Sequence, residues 1–309
     1  MINVLSLFDG ISCARLALDK AKIPIKKYFS SEIDKNAISI SQANYPDHVF
    51  LGDVRYINQS SIAEKIDLLI GGSPCQDLSK AKDGNGLNGM KSSLFFEYVR
   101  LLEELKPKYF LLENVSMKQN WKKNIDDIMG VEGIEINSNL FSAQSRPRCY
   151  WTNIAYEPFP TVISNQRILD ILEKDNTCID KYFLKSEKIP QYLIENRDHI
   201  LKNFIPNHNS GIIKLLTLPK DIHSDHERQR RVYSLEGKSP TLLARSDTTK
   251  ILVSDKIRKL TPLECERLQT IRDNYTAMCS DTQRYKMIGN AFTVDTIAHF
   301  LKGIQCSIH

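Results

Sequence analysis

The chain has 309 residues, of which 41% are hydrophobic, and a formal net charge of +5 at pH 7. It is long enough for one large domain and a smaller one, and it has no run of about 18 apolar residues that could span a membrane. The amino terminus, MINVLSLFDG, lacks the features of a signal peptide, and the seven cysteines include no CxxC pair. We therefore expect a cytoplasmic protein with neither a disulfide framework nor a metal site.

The first third of the chain alternates between predicted strands and predicted helices. Strand composition is found in INVLSLF, KKYFSSEID, HVFLGDV, IDLLIGGS and KYFLLENV. Helical patterns are found in SCARLALDKAK, DKNAISISQANYP and SSLFFEYVRLLEELKP. The alternation predicts an α/β fold in which helices cover a mostly parallel sheet and ligands bind beyond the carboxyl ends of its strands.

The pattern changes after about residue 160. Prolines at 160, 190, 206, 219 and 240 interrupt short strand-like pieces, which predicts a smaller, irregular domain. Residues 181–260 hold 16 Lys and Arg against 9 Asp and Glu, a net charge of +7. This excess fits a surface that follows a phosphate backbone, and charge alone fits a solvated lysine-rich face equally well.

The end of the chain returns to helical patterns. LTPLECERLQTI is predicted to be helical after Pro262, and IGNAFTVDTIAHFLKGI to form an apolar helix after a tight turn, with Asn290 able to cap its start. We expect this closing helix to pack on the first domain. The predicted division is a discontinuous domain, 1–165 plus 262–309, and a second domain, 166–261.

Three strand ends carry residues suited to a nucleoside ligand. The turn LFDGIS, after the first strand, contains Phe8, Asp9, Gly10 and Ser12. Backbone N–H groups at such a turn let a ligand approach closely. Glu32 follows the second strand, where a carboxylate commonly accepts both ribose hydroxyls, and Asp53 follows the third, where it could accept from an adenine amino group. The plainer alternative is that these are ordinary turn and cap residues, but their occurrence at three successive strand ends favours a nucleoside site.

The next two strands end in groups that could perform chemistry. Cys75 follows a rigid Ser-Pro pair, and Glu113 ends the neighbouring strand. Cysteine is a strong nucleophile, although a lone cysteine is more often buried packing. In QSRPRCYW, Gln144, Arg146 and Arg148 alternate, so an extended segment would project all three to one face. Such donors suit carbonyl or phosphate oxygens, and an exposed cationic strand is the plainer alternative.

Taken together, these motifs resemble those of the DNA (cytosine-5) methyltransferases, in the family's order and from residue 4 to about 301. The resemblance is carried by FDGIS, SPCQDLS, ENV, QSRPRCYW, RQRRVYSLEGKSPTL and IGNAFTVDTIAHFL. In this sequence Ser12 stands where many members have a second glycine, and Ser73 where most have proline. The resemblance implies the Rossmann-like sheet of class I methyltransferases and a target-recognition domain at 166–261.

The resemblance also implies roles for individual residues. Cys75 would add to C6 of a flipped-out cytosine, Glu113 would contact N3 and the exocyclic amine, Arg148 would contact O2, and Arg146 would position the site. The implied contacts to S-adenosylmethionine, whose product is S-adenosylhomocysteine, are Phe8, Asp9, Gly10, Ile11, Ser12, Glu32, Ile33, Asp53, Val54, Ser73, Pro74, Asn290 and Ala291. The implied contacts to double-stranded DNA are Gln76, Ser79, Arg228, Arg230 and Arg231.

Several alternatives stay open at this stage. One branch of the family modifies tRNA, although the basic insert favours duplex DNA. A catalytically silent relative that binds DNA or a partner is the other alternative, and the intact set of catalytic residues argues against it. We expect a monomer that works alone or beside a restriction endonuclease. The glycine-rich segment SKAKDGNGLNGMKSS is expected to close over the flipped base.

Overall fold

The computed structural model describes residues 1–73, 94–174, 179–205 and 209–306. The chain divides into two compact units. The first unit comprises Met1–Ile136, Pro147–Phe159 and Val294–His309, and the second comprises Asn137–Arg146 and Pro160–Thr293. Within the described ranges, no helix is both long and apolar enough to cross a membrane.

A seven-stranded sheet forms the centre of the first unit, in the order β3-β2-β1-β4-β5-β8-β6. Its strands are β1 (Ile2–Leu7), β2 (Ile25–Ser31), β3 (Val49–Phe50), β4 (Leu68–Gly72), β5 (Tyr109–Val115), β6 (Ile134–Asn137) and β8 (Pro147–Thr152). The β3-β2-β1-β4-β5 pairs are all parallel, whereas β5 and β8 are antiparallel. The mostly parallel α/β sheet predicted from the sequence is confirmed.

Helices follow the strands as the apolar spacing predicts. They are α1 (Cys13–Lys20), α2 (Lys35–Asn44), α3 (Leu94–Leu105), α4 (Gln119–Met129) and α11 (Val294–Cys306). Asp34 starts α2 by accepting hydrogen bonds from the backbone N–H groups of Asn36 and Ala37. The closing helix α11 packs against α1, as expected from its apolar pattern.

Strand order places the end of β1 at a switch point of the sheet. The chain leaves β1 for β2 and β3 on one side and then crosses to β4 and β5 on the other. Ligands of open α/β sheets bind beyond the strand ends at such a point. Gly71 allows β1 and β4 to approach here, because a Cβ on this residue would lie 2.8 Å from the carbonyl oxygen of Leu7.

Shorter elements build the second unit. Its strands are β7 (Gln144–Ser145), β9 (Lys214–Thr217), β10 (Arg231–Tyr233), β11 (Ser239–Pro240), β12 (Lys250–Val253) and β13 (Lys256–Lys259). Its helices are α5 (Ile168–Ile171), α6 (Lys188–Glu195), α7 (Arg197–Lys202), α8 (Glu227–Arg230), α9 (Pro262–Leu268) and α10 (Asp281–Asn290). A four-stranded sheet has the order β13-β12-β10-β9, and β11 pairs with β7.

The carboxy-terminal elements differ from the sequence-based expectation in one respect. Asn290 was predicted to be able to cap the start of the closing helix, but it is the last residue of α10, and α11 begins at Val294. Thr293, between them, is held by a hydrogen bond to the Gln269 side chain. The compact units also group residues 262–293 with the second unit, so the functional division at 165 and 262 stays a prediction.

Candidate active site

The turn between β1 and α1 contains three residues in the left-handed region. Phe8 has φ +55°, Gly10 has φ +57° and Ser12 has φ +60°. This conformation is easy for glycine and costs L-residues of order 1 kcal/mol or more. A Cβ added at Gly10 would meet no atom within 4 Å. Space therefore lies open beside this backbone, while Ile11, next to it, is buried.

Glu32 and Ile33 lie directly after β2. Glu32 accepts hydrogen bonds from the backbone N–H of Gly10 at 2.9 Å and from those of Ile33 and Asp34. The Ile33 residue is 67% exposed. An acidic group and an exposed apolar side chain therefore stand side by side next to the β1–α1 turn.

Asp53 and Val54 follow β3 with different surroundings. The Asp53 carboxylate accepts hydrogen bonds from the backbone and guanidinium of Arg55, which lower its pKa. Val54 is buried in the core of the first unit, so its side chain packs rather than faces a ligand. The contact predicted for Val54 could be made only through its backbone.

Beyond β4, the chain enters the segment that contains the predicted nucleophile. Gly72 pairs in register with Glu113 on β5, and Ser73 follows directly. The buried Ser73 hydroxyl accepts a hydrogen bond of 3.1 Å from the Asn114 side chain. Pro74, Cys75, Gln76, Ser79 and the glycine-rich segment lie outside the described residues. Asn114 was not among the predicted site residues, although it stands in the ENV motif.

Glu113 and Arg148 form an ion pair at the edge of the sheet nearest that segment. Arg148 Nε lies 3.0 Å from Glu113 Oε1, and each side chain is 13% exposed. The pairing follows from the antiparallel register, in which Glu113 opposes Tyr150 and Val115 opposes Arg148. The arginine also donates to the carbonyl of Pro147. A carboxylate and a guanidinium are thus held together where β4 and β5 end.

The QSRPRCYW segment does not form the single extended strand that the sequence predicted. Gln144 lies on β7, paired with β11, whereas Arg148 lies on β8, paired with β5. Between them, the buried Arg146 donates hydrogen bonds to the carbonyls of Leu242, Gly289 and Ala291. Gln144 is also buried and bonds within the second unit. The single extended segment from which a shared face of the three side chains was predicted is therefore interrupted between β7 and β8.

Arg228, Arg230 and Arg231 lie on α8 and at the start of β10. The side chain of Arg230 points inward and donates to the carbonyls of Leu218 and Asp225. Arg228 is exposed and lines a shallow pocket together with Arg231. Arg231 also pairs with Glu227 on the surface. Arg228 therefore offers positive charge to solvent, the half-buried Arg231 is paired with Glu227, and Arg230 supports the local fold.

A group of potential metal ligands lies near this pocket in the second unit. His223, Asp225 and Asp247 bring ligand atoms within 4.8 Å of one another. Both carboxylates already have cationic partners, since Arg245 pairs with Asp225 and Lys250 with Asp247. These partners neutralise the charge that would attract a metal ion.

Buried polar residues beneath the β1–α1 turn were missed by the sequence analysis. The hydroxyls of Ser6, Tyr28 and Ser30 donate to the Asp9 carboxylate, and the buried His48 ring stacks between Tyr28 and Tyr45. Ser6 is three residues from Asp9, but the others come from β2 and beyond. The sequence signal that could have indicated this buried network is the presence of polar residues, such as Ser6 and Ser30, inside otherwise apolar strands.

Comparison with known proteins gives both a family and a fold. Residues 2–306 match the model of the family described as C-5 cytosine-specific DNA methylase. The chain is 31% identical to type II methyltransferase M1.ScrFI of Lactococcus lactis subsp. cremoris, over 96% of this chain and 76% of that protein. It is 25% identical to type II methyltransferase M.HhaI of Haemophilus parahaemolyticus, over 100% and 95%.

Solved structures agree with the architecture. The Dnmt2 methyltransferase of S. pombe superimposes with a TM-score of 0.70 at 15% identity, covering 100% of both chains. A DNA modification methyltransferase from an E. coli prophage gives 0.68 at 21% identity, covering 100% of this chain and 99% of that one. At these identities the likeness concerns the fold alone.

Proposed function

Because the chain belongs to the C-5 cytosine-specific DNA methylase family, we propose that it transfers a methyl group from S-adenosylmethionine to C5 of cytosine in duplex DNA. The observation that carries this proposal is the Glu113–Arg148 ion pair, 3.0 Å between Oε1 and Nε, next to the strand that leads into Cys75. The type II relatives favour a DNA substrate and a restriction-modification setting.

The cofactor is proposed to lie beyond the ends of β1, β2 and β3. Glu32 offers a carboxylate for hydroxyl donors, Ile33 an exposed apolar surface, and Gly10 an open backbone. These features fit the ribose, the adenine and a close approach of the chain, respectively. When bound, S-adenosylmethionine supplies an electrophilic methyl group. We keep Phe8, Asp53, Asn290 and Ala291 as proposed neighbours of that site.

Cytosine C5 is a poor nucleophile until the conjugation of the ring is broken. In the proposed site, three side chains together break that conjugation. The Cys75 thiolate adds to C6, which converts C5 into an enamine-like carbon. Addition moves electron density onto N3 and O2, so a proton that the Glu113 carboxyl group donates to N3, and the Arg148 guanidinium at O2, stabilise the developing charge. After methylation, loss of the C5 proton and release of the thiolate restore the aromatic ring.

The pairing of Glu113 with Arg148 suits both proposed contacts. One carboxylate oxygen meets the guanidinium, the other is proposed to face a base edge, and Arg148 has further N–H donors besides Nε. Strand pairing fixes both backbones, so little reorganisation is needed when a base arrives. Arg146 acts in this proposal as a positioning residue, through the carbonyls it binds.

A base inside a duplex must be rotated out before Cys75 can reach C6, at a cost of a few kcal/mol. We propose that residues 166–261 supply the DNA contacts that offset this cost. The exposed Arg228 and the half-buried Arg231 are the candidates for phosphate contacts, together with Gln76 and Ser79. Arg230 supports this surface from inside.

The test is transfer of tritium from labelled S-adenosylmethionine to duplex DNA and, in parallel, to tRNA. We expect label in DNA only, and no label with Cys75→Ala. DNA that carries 5-fluorocytosine should trap the wild type as a denaturant-resistant adduct. Elimination requires removal of the C5 proton, and the fluorine that replaces this proton cannot be removed in the same way. Label in tRNA alone would contradict the proposal of a DNA substrate. Full activity of Cys75→Ala would contradict the covalent step.

A further inference from the structure

The β1–α1 turn holds two non-glycine residues, Phe8 and Ser12, in a left-handed conformation on either side of Gly10. Such residues persist only where their surroundings stabilise them. The turn also lies at the switch point of the sheet, where the proposed cofactor binds. What holds this conformation therefore bears on cofactor affinity.

Asp9 is the group around which the turn is built. Its carboxylate accepts hydrogen bonds from the hydroxyls of Ser6 at 2.5 Å, Ser12 at 2.6 Å, Tyr28 at 2.7 Å and Ser30 at 2.8 Å. The residue is 6% exposed, and no Lys, Arg or His of the described ranges pairs with it. Burial raises the pKa of Asp9, and the hydroxyl donors act in the opposite direction. A buried carboxylate is thus held by hydroxyls alone.

The same network reaches the backbone of Gly10. Ser12 Oγ lies 2.8 Å from Ser41 Oγ and, since its one proton goes to Asp9, it places Ser41 by this contact, while the Ser41 hydroxyl donates to the Gly10 carbonyl at 3.2 Å. On the other side, the Gly10 N–H donates to Glu32. Both peptide groups of Gly10 are therefore fixed, while the space beside its Cα stays open.

We propose that Asp9 and Ser12 are positioning residues for the cofactor: their hydrogen-bonded network holds the turn so that the Gly10 backbone and the Glu32 carboxylate are pre-set to receive the nucleoside of S-adenosylmethionine. This inference rests on the proposed function. It assigns the Asp9 side chain to the interior of the turn, so its effect on the ligand is indirect.

Ser12 allows the backbone and hydroxyl contributions to be separated. Ser12→Ala keeps a Cβ in the left-handed region and loses the hydroxyl, so the strain is no longer offset. Ser12→Gly loses the same hydroxyl but removes the strain as well. The proposal therefore predicts that alanine weakens binding more than glycine does.

The experiment is calorimetric titration of the full chain with S-adenosylhomocysteine, without DNA. We expect Kd to rise about tenfold or more for Asp9→Asn, which weakens the hydrogen bonds to its carboxylate, and for Ser12→Ala, which loses one such bond and keeps the strained backbone. Ser12→Gly should stay within about threefold of the wild type. Asp47→Asn is the matched control, because Asp47 is an exposed acid whose partner is Arg15. In methyl transfer, the affected variants should raise KM for the cofactor more than they lower kcat.

Thermal unfolding of the unliganded variants separates positioning from general stability. Lower melting temperatures with unchanged Kd for Asp9→Asn and Ser12→Ala would show a purely structural role and overturn the inference. Ser12→Gly binding as weakly as Ser12→Ala would also overturn it, since strain would then not matter. A wild type that binds no S-adenosylhomocysteine would contradict the proposed function as well, whereas binding by the wild type with unaffected variants contradicts this inference alone.

Discussion

Replacing Glu113 by glutamine removes one charge and the protonatable group while keeping the shape of the side chain. At 3.0 Å between Arg148 Nε and Glu113 Oε1, the Coulomb attraction is about 5.5 kcal/mol at an effective dielectric constant of about 20. Desolvation of the two ions offsets most of this. We therefore expect the free energy of unfolding to fall by about 1.5–3 kcal/mol, the net value of a hydrogen bond to a charged group.

The loss in catalysis should be larger, because Glu113 acts on the charge that develops at N3. Removing a general acid typically lowers the rate about 100- to 10,000-fold, which corresponds to about 2.7–5.4 kcal/mol of activation free energy. Single-turnover methyl transfer to duplex DNA measures this rate, and urea unfolding measures stability. Glu135→Gln is the control, since this exposed glutamate on β6 hydrogen-bonds Ser116. A Glu113→Gln rate above a tenth of the wild-type value would refute the assigned role.

Three further predictions follow from named contacts. Arg146→Met should destabilise the fold by about 2 kcal/mol or more, because the buried carbonyls of Leu242 and Gly289 lose their side-chain donor, whereas Ala291 keeps a hydrogen bond from Gln269; urea unfolding measures this, and a loss below about 1 kcal/mol would contradict it. Arg228→Gln should weaken DNA binding and reduce the slope of log K against log salt by about 1, while Arg230→Gln should mainly lower the melting temperature; an unchanged salt slope for the first variant would remove Arg228 from the phosphate contacts. Burial, reinforced by the charge of Arg15, lowers the pKa of His48 to about 4. Since the unfolded histidine binds its proton near pH 6.5, the stability that His48 contributes is present above that pH and is lost, by up to about 3 kcal/mol, as the pH falls toward 4. The ring-preserving His48→Phe should show a smaller acid-side loss in pH-dependent unfolding, and equal losses would contradict the assignment.

The strands and helices of the first unit could be predicted because their signals are local. The strands contain short apolar runs, and Glu32 directly follows β2, whereas Glu113, which the sequence placed at a strand end, lies two residues before the end of β5. Parallel strands bring their carboxyl ends to one edge, so the sequence already indicated which groups would gather there. The family resemblance implied separate base contacts for Glu113 and Arg148, and their ion pair was not predicted because it depends on the register of β5 and β8.

The features that were missed depend on partners far away in the sequence. The strand break near Arg146 is set by carbonyls at 242, 289 and 291, which no local pattern reveals. Asp9 looked like a ligand contact, but its partners on β2 turn it inward. A single hydroxyl or carbonyl group can decide where a strand breaks or which way a side chain points. The alternation of apolar and polar residues along the chain does not identify that group.

The most direct test of the proposed activity is methylation mapping. The protein is expressed in a host without cytosine methylation, and the host DNA is sequenced after bisulfite treatment. We predict unconverted cytosines in one recurring short sequence, and none in a Cys75→Ala strain. Complete conversion in the wild-type strain, with a folded protein that binds S-adenosylhomocysteine, would contradict DNA cytosine methylation by this chain.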